Sequence, residues 1–132
     1  MYSKHKFYCQ HTNENMEHTE YIEIGLKSKS KLLVKYKDTE YKQTIKVVLN
    51  KKKVSELIEI LKSSLSGDEY FESPVVKSKD CELYIENDFT CVSPRHILAF
   101  EDDNSYECLH LTRQDIALMI IVVSDIYKWM NE

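Results

Sequence analysis

The chain has 132 residues, 42% of them hydrophobic and 30% charged, enough for one domain with a substantial core and too few for two comfortable ones. Two glycines and two prolines exclude a glycine-built phosphate cradle and leave little room for long loops. The net charge of −4 is unevenly divided: residues 1–66 carry 13 Lys/Arg against 8 Asp/Glu, and residues 67–132 carry 5 against 14, so halves of +5 and −9 present different electrostatic faces.

The opening "MYSKHKFYCQH" is polar and lacks the apolar core of a secretory signal. The longest apolar run, 116–123, falls far short of the roughly 18 residues of a membrane span. Cys9, Cys81, Cys91 and Cys108 form no CxxC pair and read as reduced thiols of a cytoplasmic protein. Richness in Lys, Ile, Tyr and Asn points to an AT-rich genome, bacterial or phage.

Along the chain, "KFYCQH" (6–11) is a weak first strand and "YIEIGL" (21–26) a clearer second. "KLLVKYK" (31–37) alternates, with Leu32, Val34 and Tyr36 on one face. The turn "DTEYK" joins it to "TIKVVL" (44–49). Asn50 then caps a helix over 51–65. After the connector "SSLSGDEYFES" the pattern recurs. "PVVKSK" (74–79) is a weak strand and "CELYIE" (81–86) a better one. "HILAFE" (96–101) places Leu98 and Phe100 on one face, "DDNS" is a hairpin turn, and "ECLHL" (107–111) follows. Thr112 caps a second helix over 113–130.

The two helices match at a constant offset: Val54, Leu57, Ile58 and Leu61 correspond to Ile116, Met119, Ile120 and Val123. The spacing therefore predicts a single α+β domain, 1–132. It consists of two pseudo-repeated ββββα-like halves, 1–66 and 67–132, with antiparallel sheets and two main helices sharing a core about a pseudo-twofold axis. This element order resembles the PUR and Whirly-like groups, which bind single-stranded nucleic acid. The resemblance is one of topology and implies the fold; the chain carries no diagnostic motif of either group.

The helices differ in one respect. The first has a single apolar stripe, Val54, Leu57, Ile58, Leu61 and Leu65, with Glu56 and Glu59 on its other side. The second keeps the equivalent stripe and adds Leu118, Ile121, Val122 and Trp129 on the opposite side, with Asp125 among them. Either this helix is buried on both sides, or the second stripe covers a partner or a second copy of the chain.

Other candidates are weighed against plainer readings. The pairs Cys9/His11 and Cys108/His110 would offer four zinc ligands if their strands were neighbours, but this spacing is not a common zinc signature, and no metal or cofactor is expected. Ser93 and His96 in "SPRH", near Cys91, have no oxyanion hole or orienting carboxylate by spacing, so the segment reads as a turn. No catalytic residue is assigned. Lys35, Lys37, Lys42 and Lys46 could neutralise phosphates. Alternation puts Tyr36 inside, away from them, leaving no evident stacking platform, and the acidic half would oppose a continuous track. Asp68, Glu69, Glu101, Asp102 and Asp103 could dock on a basic protein surface. The reading is a small non-enzymatic cytoplasmic binding protein acting through protein contacts, of the inhibitor or immunity type, with a protein partner or itself as a homodimer and no membrane. The alternative is a single-stranded nucleic-acid binder.

Overall fold

The computed structural model describes residues 4–79, 81–90 and 93–132, so Cys91 lies outside the described residues. The elements run β1 (His5–Tyr8), β2 (Glu20–Ser28), β3 (Lys31–Asp38), β4 (Gln43–Asn50) and α1 (Lys51–Ser66), then β5 (Val76–Lys77), β6 (Cys81–Asp88), β7 (Arg95–Asp102), β8 (Tyr106–Leu111) and α2 (Arg113–Met130). Two antiparallel sheets are ordered β1-β2-β3-β4 and β5-β6-β7-β8. This is the α+β architecture of two ββββα halves that the repeated pattern predicts.

Alternation sets the register. In the first sheet Leu32 faces Leu49, Val34 faces Val47 and Tyr36 faces Ile45; in the second, Leu83 faces Phe100 and Ile85 faces Leu98. All ten are buried in one core that includes the inner faces of both helices. A slip of one residue would turn each such row to solvent, so burial fixes the pairing.

Both helices start at predicted caps. The Asn50 side chain accepts from Lys53 N, and Thr112 forms a capping box with Asp115, each side chain meeting the other's backbone N–H. At the end of α1 the chain folds back tightly. A Cβ on Gly67 would lie 2.9 Å from the Phe71 side chain and from the Ser63 carbonyl oxygen.

The helices pack on each other. α1 also touches β3, β4, β5 and β6, whereas α2 adds chiefly β7. The first helix is thus the more enclosed, and it buries Ile60 outside its predicted stripe while Leu65 stays half-buried.

The two sheets meet at an edge seam. β1 ends at Tyr8, short of the predicted strand, because the following residues cross to β8: Gln10 N–H donates to His110 O at 2.8 Å, and His110 N–H donates to Cys9 Sγ at 3.2 Å. Among the described residues no helix is long and apolar enough to cross a membrane.

Candidate functional site

The second apolar stripe of α2 is only partly available. Leu118 is 51% and Ile121 58% exposed, and Asp125 is exposed one turn on. Val122, expected beside them, is 8% exposed and belongs to the core. Trp129, the expected anchor, packs against that core, and Lys29 from the β2–β3 turn sits over its ring, Nζ 5.3 Å from the centroid. A helix lodged between another helix and a sheet buries a wider arc than one stripe, which takes Val122 into the core and leaves Trp129 half-buried. What remains is a ridge of Leu118 and Ile121. The matching positions of α1 are Glu56 and Glu59, and Glu56 pairs with Lys53 at 3.4 Å.

The acidic candidates do not share one surface. Asp68 and Glu69 lie beside Asn87 at one end of β6, since Asn87 Nδ2 donates to Asp68 O at 2.8 Å. Glu101, Asp102 and Asp103 lie at the other end, where Asp102 pairs with Cys81. Two of them build turns: Asp68 Oδ1 accepts from Tyr70 N, and Asp102 Oδ1 accepts from Asn104 N and Ser105 N.

Lys35, Lys37 and Lys46 project from the outer face of the first sheet. Lys42 does not join them, because it occupies the β3–β4 turn with φ 55. Tyr36 is inside, as alternation requires, and on the outer face with the lysines Tyr8 is exposed while Tyr21, its partner across β1 and β2, is buried at 8% exposure. Their ring centroids are 5.4 Å apart, Tyr8 is 43% exposed, and Lys6 Nζ lies 4.8 Å from the Tyr21 ring. The outward carboxylate of the first sheet's strands among the described residues is Glu23, held by Lys4 at 3.7 Å and Lys35 at 3.8 Å, while Ser78 and Lys79 at the edge of this face also border Glu82, Glu101, Asp102 and Asp103.

The seam brings Cys9, His11, Cys108 and His110 together, as the zinc hypothesis required. The His11 and His110 rings, however, stack with centroids 3.9 Å apart and 21° between planes. A metal approaches an imidazole in the ring plane, so two stacked, nearly parallel rings cannot share one ion in this arrangement. Among the described residues no group of three or more His, Cys, Asp or Glu is arranged to hold a metal. Burial and the neighbouring His11 lower the His110 pKa, and burial raises those of Cys9 and Cys108.

Two polar clusters escaped the sequence reading. His96, the first residue of the predicted strand 96–101, lies buried in β7. Its Nδ1 lies 2.8 Å from Ser64 Oγ and 2.9 Å from Asn87 Oδ1, and Ser64 Oγ–H donates to Asn87 Oδ1 at 2.6 Å. The amide of Asn87 is oriented by donating to the Ser64 and Asp68 carbonyls. Its Oδ1 can only accept, so the 2.9 Å contact assigns the proton to His96 Nδ1 and leaves Nε2, buried and without a partner among the described residues, as a bare lone pair. Burial first, and Arg113 second, lower this histidine to about 4. In the other cluster, Tyr36 Oη–H lies 2.6 Å from Glu20 Oε1 and 3.2 Å from Glu107 Oε2, linking the halves. Burial and these carboxylates hold the proton on the phenol. Ser64 and His96 are fully buried, so the triad ties α1 to the second sheet and offers no face to a substrate.

Neither a protein-family model nor a curated protein matches the chain.

Proposed function

We propose that this is a non-enzymatic binding protein that meets a protein partner through the outer face of α2. One observation carries the reading. At equivalent positions of one repeated fold, α1 carries the half-buried Glu56 and the exposed Glu59, while α2 presents Leu118 and Ile121, each more than half exposed. The fold tolerates charge there, so packing does not explain the leucine and isoleucine. Removing such side chains from water contributes roughly 1.5–3 kcal/mol each when burial is complete, and about half that here because half of each is already covered. The ridge alone is too small for a standard interface, so polar neighbours such as Asp125 and Lys128 complete it.

A photoreactive residue placed at Ile121 tests this in cells that make the protein, with the same residue at Glu59 as control. A discrete crosslinked protein from position 121 and none from 59 is expected. Equal products from both, or none from 121, would refute the reading.

A second reading, binding of single-stranded nucleic acid, is favoured by the exposed Tyr8 standing among Lys6, Lys35, Lys37 and Lys46 on one sheet face. Aromatic rings that stack on bases beside lysines that neutralise phosphates are the usual elements of such a surface. Anisotropy of a labelled oligothymidylate, with Tyr8→Ala expected to weaken binding about tenfold, tests it. Unchanged affinity on that substitution would count against it.

A further inference from the structure

Beyond the sheet face lies a hollow of about 270 Å³, lined by Lys27, Lys31, Lys46, Lys79, Ser78 and Val48. Lys27 comes from β2, Lys31 from β3 and Lys46 from β4, and Lys79 reaches in from just after β5 of the second half. The hollow thus joins the halves, and it gathers one of the few cations of an otherwise acidic half with three of the basic one. Among the described residues no carboxylate pairs with any of the four ammonium groups; the ion pairs of the molecule's lysines involve Lys4, Lys35, Lys53 and Lys77 instead.

Register adds to the repulsion. Lys46 stands directly opposite Lys35 across β3 and β4, an arrangement that destabilises a sheet when like charges face each other. Glu23 relieves Lys35 at 3.8 Å, but no described carboxylate does the same for Lys46. Four lysines lining one concave space form a complement to a multiply charged oxyanion. A single small anion would leave most of that charge unmatched. A chain of linked phosphates would engage several lysines at once, each a compact donor of three hydrogen bonds.

We infer that this hollow is a binding site for linked phosphate groups, taking two or more adjacent phosphates of an oligophosphate or of a nucleic-acid backbone. The site is separate from the α2 ridge and does not depend on the reading given to that ridge.

Calorimetric titration of the full chain with inorganic tripolyphosphate at about 50 mM salt, where screening is modest, tests it. Saturable binding is expected, with orthophosphate at least about tenfold weaker because it reaches fewer lysines. Lys46→Gln with Lys79→Gln should weaken tripolyphosphate about tenfold or more. Lys51→Gln with Lys52→Gln, exposed on the first turn of α1 and removing the same charge, should leave it unchanged. Absence of binding, equal affinity for the two anions, or equal loss in both double variants would overturn the proposal. Competition identifies the source: displacement of tripolyphosphate by oligothymidylate assigns the site to a nucleic-acid backbone, and its persistence assigns the site to a free oligophosphate.

Discussion

Acid should unlock the core at His96, and the size of the effect follows from the geometry. The ring is fully buried, its Nδ1–H is committed to Ser64 and Asn87, and its Nε2 has no partner among the described residues. Charging it would place a cation in the core beside Arg113 without a counterion, so the folded pKa falls from 6.5 to about 4. A histidine depressed in the folded state contributes its full stability above the unfolded value of 6.5. That contribution is lost as pH falls through the interval down to the folded value, because only the unfolded chain then takes up the proton. Linkage over this interval amounts to about 2 kcal/mol by pH 5 and about 3 kcal/mol by pH 4. Urea unfolding of the wild type and of His96→Gln from about pH 7.5 to 4 measures it. Gln cannot ionise but can donate to Asn87, so the variant should start less stable and close most of the gap by pH 4. His110, also depressed, acts equally in both proteins and cancels in the comparison. Stability curves that stay parallel across this range would refute the argument.

Tyr36→Phe should cost about 2 kcal/mol in urea unfolding, since it removes one hydroxyl bonded to two carboxylates and leaves Glu20 and Glu107 facing each other without it. Thr112→Ala should cost about 1 kcal/mol by breaking the capping box of α2. Gly67→Ala should cost about 1–3 kcal/mol in the same assay, because its Cβ would meet Phe71 and the Ser63 carbonyl at 2.9 Å. Leu118→Glu with Ile121→Glu should change unfolding free energy by no more than about 0.5 kcal/mol per site, as expected of surface positions.

Local patterns carried much of the fold. Leu32, Val34 and Tyr36 alternate against Ile45, Val47 and Leu49, and Asn50 and Thr112 mark the helix starts, so the sheet pairs and both helices could be placed from spacing. The outer strands were less clear because each owes its shape to distant residues. β1 stops at Tyr8 where Cys9 and Gln10 turn to β8, and β5 is only two residues long. The α2 surface was half legible. Helical angles separate Leu118 and Ile121 from the core stripe correctly, but they cannot show that the core also covers Val122 or that Lys29 sits over the Trp129 ring. Contacts between residues far apart in sequence left no pattern to find. Ser64 meets His96 across 32 positions and Tyr36 meets Glu107 across 71, and neither pair has a spacing that suggests the other. Tyr8 and Tyr21 were legible as strand residues, yet placing them with the lysines required the register of β1 on β2.

The most direct test of the α2 interface is affinity capture from cells that make the protein, comparing the wild type with Leu118→Glu/Ile121→Glu at equal loading. The two charges would have to be desolvated in any contact that the leucine and isoleucine now make, so a specific partner should fall by tenfold or more. The account predicts a protein retained by the wild type and lost from the variant while the variant remains folded. The same proteins retained in the same amounts by both would contradict it.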